Sequence, residues 1–165
     1  SSGSMLEQTL CLNASTFTEG NAETCPTGRI LPVAGTPMDF TSGKPLGRDI
    51  DTGFSQTTMV GGGYDHCFVI DRGRGASQSL CAWASSDKTG ISMKVYTTQP
   101  GVQLYTGNWL GDEHAKDNAN YGWGAGFALE AEMYPDTPHQ PLFPQGIVGP
   151  DHPYSNVIEY HFMRH

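Results

Sequence analysis

One glutamate of this sequence lies where a side chain could act in proton transfer. Glu130 falls within residues 126–132, an apolar and acidic stretch that predicts a β-strand. A carboxylate among apolar neighbours would be partly desolvated, which raises its pKa and suits a general base. Glu132 stands two residues further on and would share the same face of a strand. The alternative interpretation is that both glutamates lie on the solvent face and do no chemistry.

Two other segments carry polar groups beside predicted strands. Asp65 follows three consecutive glycines, and Asp65 and His66 would point to opposite faces of a strand, so both should not face one ligand. Gln103 lies in residues 96–108, which are dense in hydroxyls, amides and aromatic rings. That mixture suits a sugar, whose hydroxyls need hydrogen-bond partners and whose C–H face stacks on rings. The alternative interpretations are that Asp65 only hydrogen-bonds a turn, and that residues 96–108 form an ordinary exposed strand.

Other kinds of site have little support in the sequence. The six histidines show no H-E-x-x-H or comparable metal spacing, and there is no G-x-S-x-G motif and no glycine loop of the kind that binds phosphate. A structural zinc site is poorly supported because no two cysteines form a C-x-x-C pair. The four cysteines are typical of reduced residues that pack in the protein interior, and two disulfides are the alternative. They stand at Cys11, Cys25, Cys67 and Cys81.

Composition narrows the class of protein. The chain has 165 residues, only 16% of them charged, with 21 Gly and 11 Pro, which argues against a coiled coil, a helix bundle and a disordered chain. A net charge of −8 would repel nucleic acid and an acidic membrane surface, so neither is expected as a partner. No apolar run approaches the ~18 residues that a membrane helix needs.

Short strands separated by turn residues predict the fold. The clearest is a hairpin of residues 79–84 and 91–97 around a polar loop closed by glycine. Loops are expected at residues 36–49 and 111–120. No window shows a sustained helical stripe, so the fold class is all-β, an antiparallel β-sandwich. Further strands are predicted at residues 9–13, 29–33, 64–70, 102–106, 126–133 and 157–162.

Taken in order, several segments resemble the aldose 1-epimerase (galactose mutarotase) family. The likeness covers nearly the whole chain, and the block at residues 95–108 is its most specific part. The chain departs from the family pattern at Cys67, where an Asn is usual, and in residues 121–126, which lack a basic residue often found there. The matching segments are residues 26–30, 33–40, 47–50, 64–66, 95–103, 105–108, 126–130 and 140–144.

The resemblance is to the C-terminal half of that family. It implies that residues 1–165 form the C-terminal portion of one galactose mutarotase-like supersandwich domain, and that the opening serines are native, since residues 1–12 also resemble the family. Such a portion would lack part of its sheets, which explains why the composition shows no device that protects the sheet edges. An N-terminal half of the same protein is then an expected partner.

The resemblance also implies a function. Members of the family interconvert the α and β anomers of aldohexoses such as galactose and glucose, in the cytoplasm, without cofactor or metal. By this likeness Glu130 is the general base, while Asp65 and Gln103 bind sugar hydroxyls. The general-acid histidine belongs to the upstream half and is not in this chain. A catalytically inactive, epimerase-like module that binds sugar is the alternative.

Overall fold

The protein folds into two antiparallel five-stranded sheets packed face to face. The computed structural model describes residues 3–111, 113–114 and 116–164. Sheet I has the strand order β12-β7-β6-β1-β4, and sheet II has the order β11-β8-β5-β2-β3. The strands are β1 Thr9–Leu12, β2 Thr16–Gly20, β3 Pro26–Pro32, β4 Lys44–Pro45, β5 Asp65–Val69, β6 Ser79–Ser86, β7 Ile91–Thr97, β8 Gly101–Tyr105, β9 Glu113–His114, β10 Asn120–Tyr121, β11 Ala128–Glu132 and β12 Ile158–Arg164.

The core lies between the inner faces of the two sheets. In sheet I a row of cross-strand partners carries Leu12, Ala82 and Val95, each 1% exposed. In sheet II the buried Phe17 and Phe68 are partners, and both belong to the same hydrophobic cluster as the sheet I row. Alternation along each strand sends every second side chain into this layer, which is why the strands hold together as a sandwich.

A buried lysine anchors the long loop before β5. The Lys44 ammonium donates to the Pro37 carbonyl and to Asp49 Oδ2, the latter at 2.7 Å, and lies 4.3 Å from the centre of the Phe40 ring. Its side chain is 1% exposed. A charged group is buried at this depth only when it is paired and hydrogen-bonded, so these contacts fix residues 36–49 against the sandwich.

The predicted all-β sandwich is confirmed. Most of the predicted strands are also confirmed, with ends that agree to within one to three residues. The hairpin is β6 and β7, and the terminal period-2 run is β12. The structure adds β2, which lies between β5 and β3 in sheet II, and the two-residue strand β4 inside the loop predicted at residues 36–49. It also adds one short α-helix, α1 (Ser55–Met59). A single helical turn is too short to give a periodic signal. No helix in the part of the chain that the structure describes is long and apolar enough to cross a bilayer.

The loop predicted at residues 111–120 is only partly described. It contains the two-residue strand β9 and a three-ten helix at Lys116–Asn118, with residues 112 and 115 outside the described residues.

Candidate active site on the outer face of sheet II

The candidate residues meet on the face of sheet II that points away from the core. Gln103 on β8 is the central member of the group. It is the cross-strand partner of Glu130 on β11 and of Cys67 on β5. Asp65 and Tyr105 form the next pair on the same face, two residues along. Three strands that are distant in sequence therefore place Asp65, Gln103 and Glu130 on one surface.

A direct hydrogen bond joins two of the candidates. Gln103 Nε2 donates to Asp65 Oδ1 at 2.8 Å. The other end of the amide, Gln103 Oε1, is buried and has no hydrogen-bond partner among the described residues. Both side chains line a cavity of about 110 Å³. The pair thus offers a carboxylate and an amide oxygen, two acceptors of the kind that hydroxyl donors of a sugar need.

The turn before β5 fixes the position of Asp65. Gly61 and Gly62 have φ of 84° and 79°, a region that residues with a Cβ rarely adopt. The Asn108 amide fills the turn by donating to the carbonyls of Val60 and Tyr64 at 2.8 and 3.0 Å. A Cβ on Gly63 would overlap that amide. The chain can therefore turn here only because these residues are glycines. Asn108, which follows β8 and was not a predicted site residue, therefore holds the turn that carries Asp65.

Glu130 is exposed, and this overturns the expectation that it is desolvated. It shares the outer face with Glu132, as the two-residue spacing predicted. The carboxylate that burial affects is instead Glu132, which is half-buried opposite Gly101. Burial, followed by the negative charges of Glu130 and Asp65, raises the pKa of Glu132 to about 7. The apolar neighbours of Glu130 in the sequence fail to bury it because Leu129 and Ala131 point to the opposite, inner face.

Cys67 contributes an apolar wall to the site. It is 1% exposed and packs with Tyr134 and Phe143, whose rings meet edge to face at 5.2 Å. Burial raises the pKa of the Cys67 thiol far above its usual range, so it is a neutral packing group. Gly101 makes room for this cluster, since a Cβ there would lie 2.6 Å from Cys67 Sγ. All four cysteines are unpaired.

His66 is directed away from the candidate site, which confirms that Asp65 and His66 face opposite sides. Its ring packs edge to face on Phe17 at 5.9 Å. Burial lowers the pKa of His66 to about 4, so the imidazole is neutral at neutral pH. Its Nδ1 accepts from the Asp65 amide at 3.2 Å, which leaves the proton on Nε2. His66 is therefore a core residue whose ring packs on Phe17, and it also lines the cavity that Asp65 and Gln103 share.

The chemistry of these side chains suits a small polyhydroxylated molecule. Asp65 and Gln103 can accept hydroxyl hydrogen bonds, Glu130 can accept a proton, and the Cys67 wall can contact apolar C–H groups. The same face also carries the Tyr105 ring beside Asp65 and the carboxylate of Glu132 beside Glu130.

The fold and the polar outer face define an antiparallel β-sandwich protein with a candidate active site on sheet II, and comparison with known proteins identifies its family. Residues 1–161 match the family model described as aldose 1-epimerase, and the chain belongs to that family. It is 35% identical over 141 residues to the aldose 1-epimerase of Escherichia coli (strain K12). The matched region covers 84% of this chain and 40% of that protein. It is 33% identical over 152 residues to the galactose mutarotase of Homo sapiens, which covers 92% of this chain and 42% of that protein.

Solved structures agree on the fold. The crystal structure of an aldose epimerase homologue from C. elegans superposes with a TM-score of 0.77 and 26% identity, covering 99% of this chain and 47% of that one. The chain thus spans less than half the length of the relatives it matches. The resemblance to the aldose 1-epimerase family and the sandwich fold are both confirmed.

Proposed function

We propose that this chain is the portion of an aldose 1-epimerase that carries the general base and part of the sugar site. The reaction interconverts the α and β anomers of aldohexoses such as galactose and glucose. The observation that carries the proposal is the placement of Gln103, which is hydrogen-bonded to Asp65 and paired across the strands with Glu130. The names of the relatives, aldose 1-epimerase and galactose mutarotase, support the same reaction.

Each residue has a defined part in the proposed reaction. Glu130 removes the proton from the anomeric hydroxyl while a general acid protonates the ring oxygen, so the C1–O5 bond breaks and C1 becomes a carbonyl carbon. Rotation about C1–C2 presents the other carbonyl face, and the reverse proton transfers close the ring. Asp65 and Gln103 hold hydroxyls of the sugar during these steps.

The general acid comes, in this proposal, from a part of the protein that this chain does not contain. The buried His66 is not a candidate, because it is neutral and faces the core. The relatives are more than twice the length of the stretch they share with this chain, which leaves ample sequence for a donor. A positioned acid is typically worth 10²–10⁴-fold in rate. The chain alone is therefore expected to bind sugar and to anomerise it slowly at best.

Polarimetry tests the proposed reaction. The decay of optical rotation of α-galactose or α-glucose is followed with this chain mixed with the part of a relative that lies outside its match, here the galactose mutarotase of Homo sapiens. We expect Glu130→Gln to reduce the rate about 10³-fold, in the range for loss of a general base. Asp87→Asn, an exposed carboxylate in the loop between β6 and β7 of sheet I, is the matched control. Equal rates for Glu130→Gln and the unmodified chain would remove Glu130 from the mechanism.

A catalytically inactive sugar-binding module is the second candidate. Two observations favour it: Glu130 is exposed, and it is not among the described residues that line the cavity beside Asp65 and Gln103. Calorimetry separates the two functions. Heat of binding with galactose that disappears in Asp65→Asn, together with no anomerisation when the complementary part is present, would establish the binding module and reject the enzyme.

A further inference from the structure

Two exposed tryptophans lie beside the candidate site. Trp109 follows β8 and Trp123 precedes β11, and they are 60% and 46% exposed. The third tryptophan of the chain, Trp83, lies on β6 of the other sheet. An indole gains much free energy when a ligand covers it, because it is a large apolar surface. Two such rings in water next to a polar site therefore indicate a binding surface.

The glycine turn before β5 brings the two indoles together. The Trp123 indole N–H donates to the Gly61 carbonyl at 3.0 Å. The Trp109 ring lies against the same glycine, since a Cβ built on Gly61 would be 3.6 Å from Trp109 Cη2. Both rings are therefore neighbours of the turn that fixes the position of Asp65.

Backbone contacts hold the segments that carry the rings. The Trp109 amide donates to the Tyr105 hydroxyl at 3.0 Å, and the Gly124 amide donates to the Gly107 carbonyl at 3.2 Å. The second of these bonds joins the segment after β8 to the segment before β11. A surface built on segments that are already joined needs less ordering when it binds a ligand, which favours affinity.

Tyr105 connects the indoles to the candidate site. It is the cross-strand partner of Asp65 and shares the outer face of β8 with Gln103. Glu130 on β11 is its diagonal neighbour, because Ala128 is its direct partner there. Diagonal neighbours on one face lie about 7–8 Å apart, roughly the width of a pyranose ring with its hydroxyls. A sugar placed between Asp65 and Glu130 therefore reaches Tyr105.

A sugar ring has two kinds of surface. Its hydroxyls need hydrogen-bond partners, whereas its C–H groups gain by covering an aromatic ring. In galactopyranose the axial hydroxyl at C4 leaves the C–H groups at C3, C4 and C5 on one side of the ring. In glucopyranose the hydrogen at C4 points to the opposite side and interrupts this apolar patch. An aromatic surface therefore distinguishes the two sugars by the shape of the C–H face.

We propose that Tyr105, Trp109 and Trp123 form an aromatic surface that stacks on the C–H face of the bound aldohexose. The surface favours the galacto over the gluco configuration. This inference rests on the proposed function in that the stacked sugar is the one whose hydroxyls Asp65 and Gln103 hold. The three rings act in binding and specificity and take no part in proton transfer.

Charge favours a neutral ligand over an anionic one. Asp65, Glu130 and Glu132 lie on the same face of sheet II, and the chain has a net charge of −8. Nucleotides also stack on aromatic rings, but these carboxylates would repel their phosphates. A neutral sugar meets the carboxylates as hydrogen-bond acceptors for its hydroxyls, so the polar and the aromatic parts of the face suit the same molecule.

Tryptophan fluorescence and calorimetry test the surface on this chain. Trp83→Phe leaves Trp109 and Trp123 as the two emitting indoles and should bind sugar like the unmodified chain. In that background we expect galactose to change the emission saturably and to bind more tightly than glucose. By calorimetry, Trp109→Ala should weaken galactose binding at least about 10-fold, as loss of an aromatic anchor does, and should bring the two affinities closer together. Trp109→Phe, which keeps a ring, should retain most of the binding.

Several results would overturn the inference. Galactose binding that is unchanged in both Trp109→Ala and Trp123→Ala would do so, as would an equal loss in Trp109→Phe and Trp109→Ala, which indicates packing of the turn instead of stacking. Absence of galactose binding also overturns it, because the indoles are exposed in this chain. So does an emission change caused by the complementary part of a relative, followed by no response to galactose, since the indoles are then covered by polypeptide.

The proposed function fails in a different way. Galactose binding that is lost in Asp65→Asn but unaffected at either tryptophan rejects the aromatic surface and leaves the proposed function standing. Equal polarimetric rates for Glu130→Gln and the unmodified chain, together with binding that depends on the tryptophans, reject the proposed reaction and keep the aromatic surface. Urea denaturation of each variant shows whether it is folded before binding is measured.

Discussion

Replacing Glu132 with glutamine should stabilise the folded chain at neutral and alkaline pH. Glu132 is half-buried on the outer face of sheet II, with Glu130 and Asp65 as the neighbouring negative charges. These surroundings disfavour its ionised form, and among the described residues no cation offsets the cost. Glutamine has nearly the same shape and no charge, so Glu132→Gln removes the unfavourable ionisation and keeps the packing.

The magnitude follows from the pKa of Glu132. An increase from 4.5 to about 7 corresponds to at most about 3.4 kcal/mol at a pH above both values. Because the side chain is half-exposed, solvent screening reduces this, and we expect about 1–2 kcal/mol. Between pH 4.5 and about 7 the folded chain binds more protons than the unfolded chain, so its stability falls as pH rises through this window.

Urea denaturation of the unmodified chain and of Glu132→Gln, from pH 4 to pH 8.5, measures the effect. The two chains should be equally stable near pH 4, where Glu132 is protonated in both states, and should diverge up to about pH 7. Glu23→Gln, at an exposed position, is the control and should follow the unmodified chain. A difference that is absent at pH 8.5, or equally large at pH 4, would refute the assignment of the buried charge to Glu132.

Three further perturbations address the core and the support of the site. Burial lowers the pKa of His66 from 6.5 to about 4, so the chain should lose up to about 3 kcal/mol as pH falls through this range, and His66→Leu should show a flatter acid limb in denaturation. Asp49→Asn leaves the buried Lys44 ammonium without its carboxylate and should cost roughly 3 kcal/mol, with much of the loss recovered in the double variant with Lys44→Met. Gly101→Ala should lower the unfolding free energy by about 1–3 kcal/mol, because the new methyl group clashes with the Cys67 thiol. Adding Cys67→Ala should recover part of that loss in a double-mutant cycle. Additive effects of the two substitutions would show that the two side chains do not compete for space.

The sequence predicted the strands well because their signals are local. Alternation of apolar and polar residues marks β7 and β12, and the turn residues of the loop before β7 mark the hairpin. β2 was missed although Thr16, Phe17 and Thr18 are strand formers, since the segment is short and is stabilised mainly by its neighbours β3 and β5 in sheet II. Helix α1 was missed because one turn has no period.

For the candidate site, the sequence determined which residues share a face and the tertiary structure decided which of them are buried. The two-residue spacing alone placed Glu130 with Glu132 and set Asp65 opposite His66, because side chains alternate along a strand. Which glutamate loses contact with water depends on what packs over β11 from elsewhere in the chain, and no local pattern contains that information. The cross-strand register that pairs Gln103 with Glu130 and the hydrogen bond that joins Gln103 to Asp65 likewise exist only once distant segments have come together. The same holds for the exposure of β12.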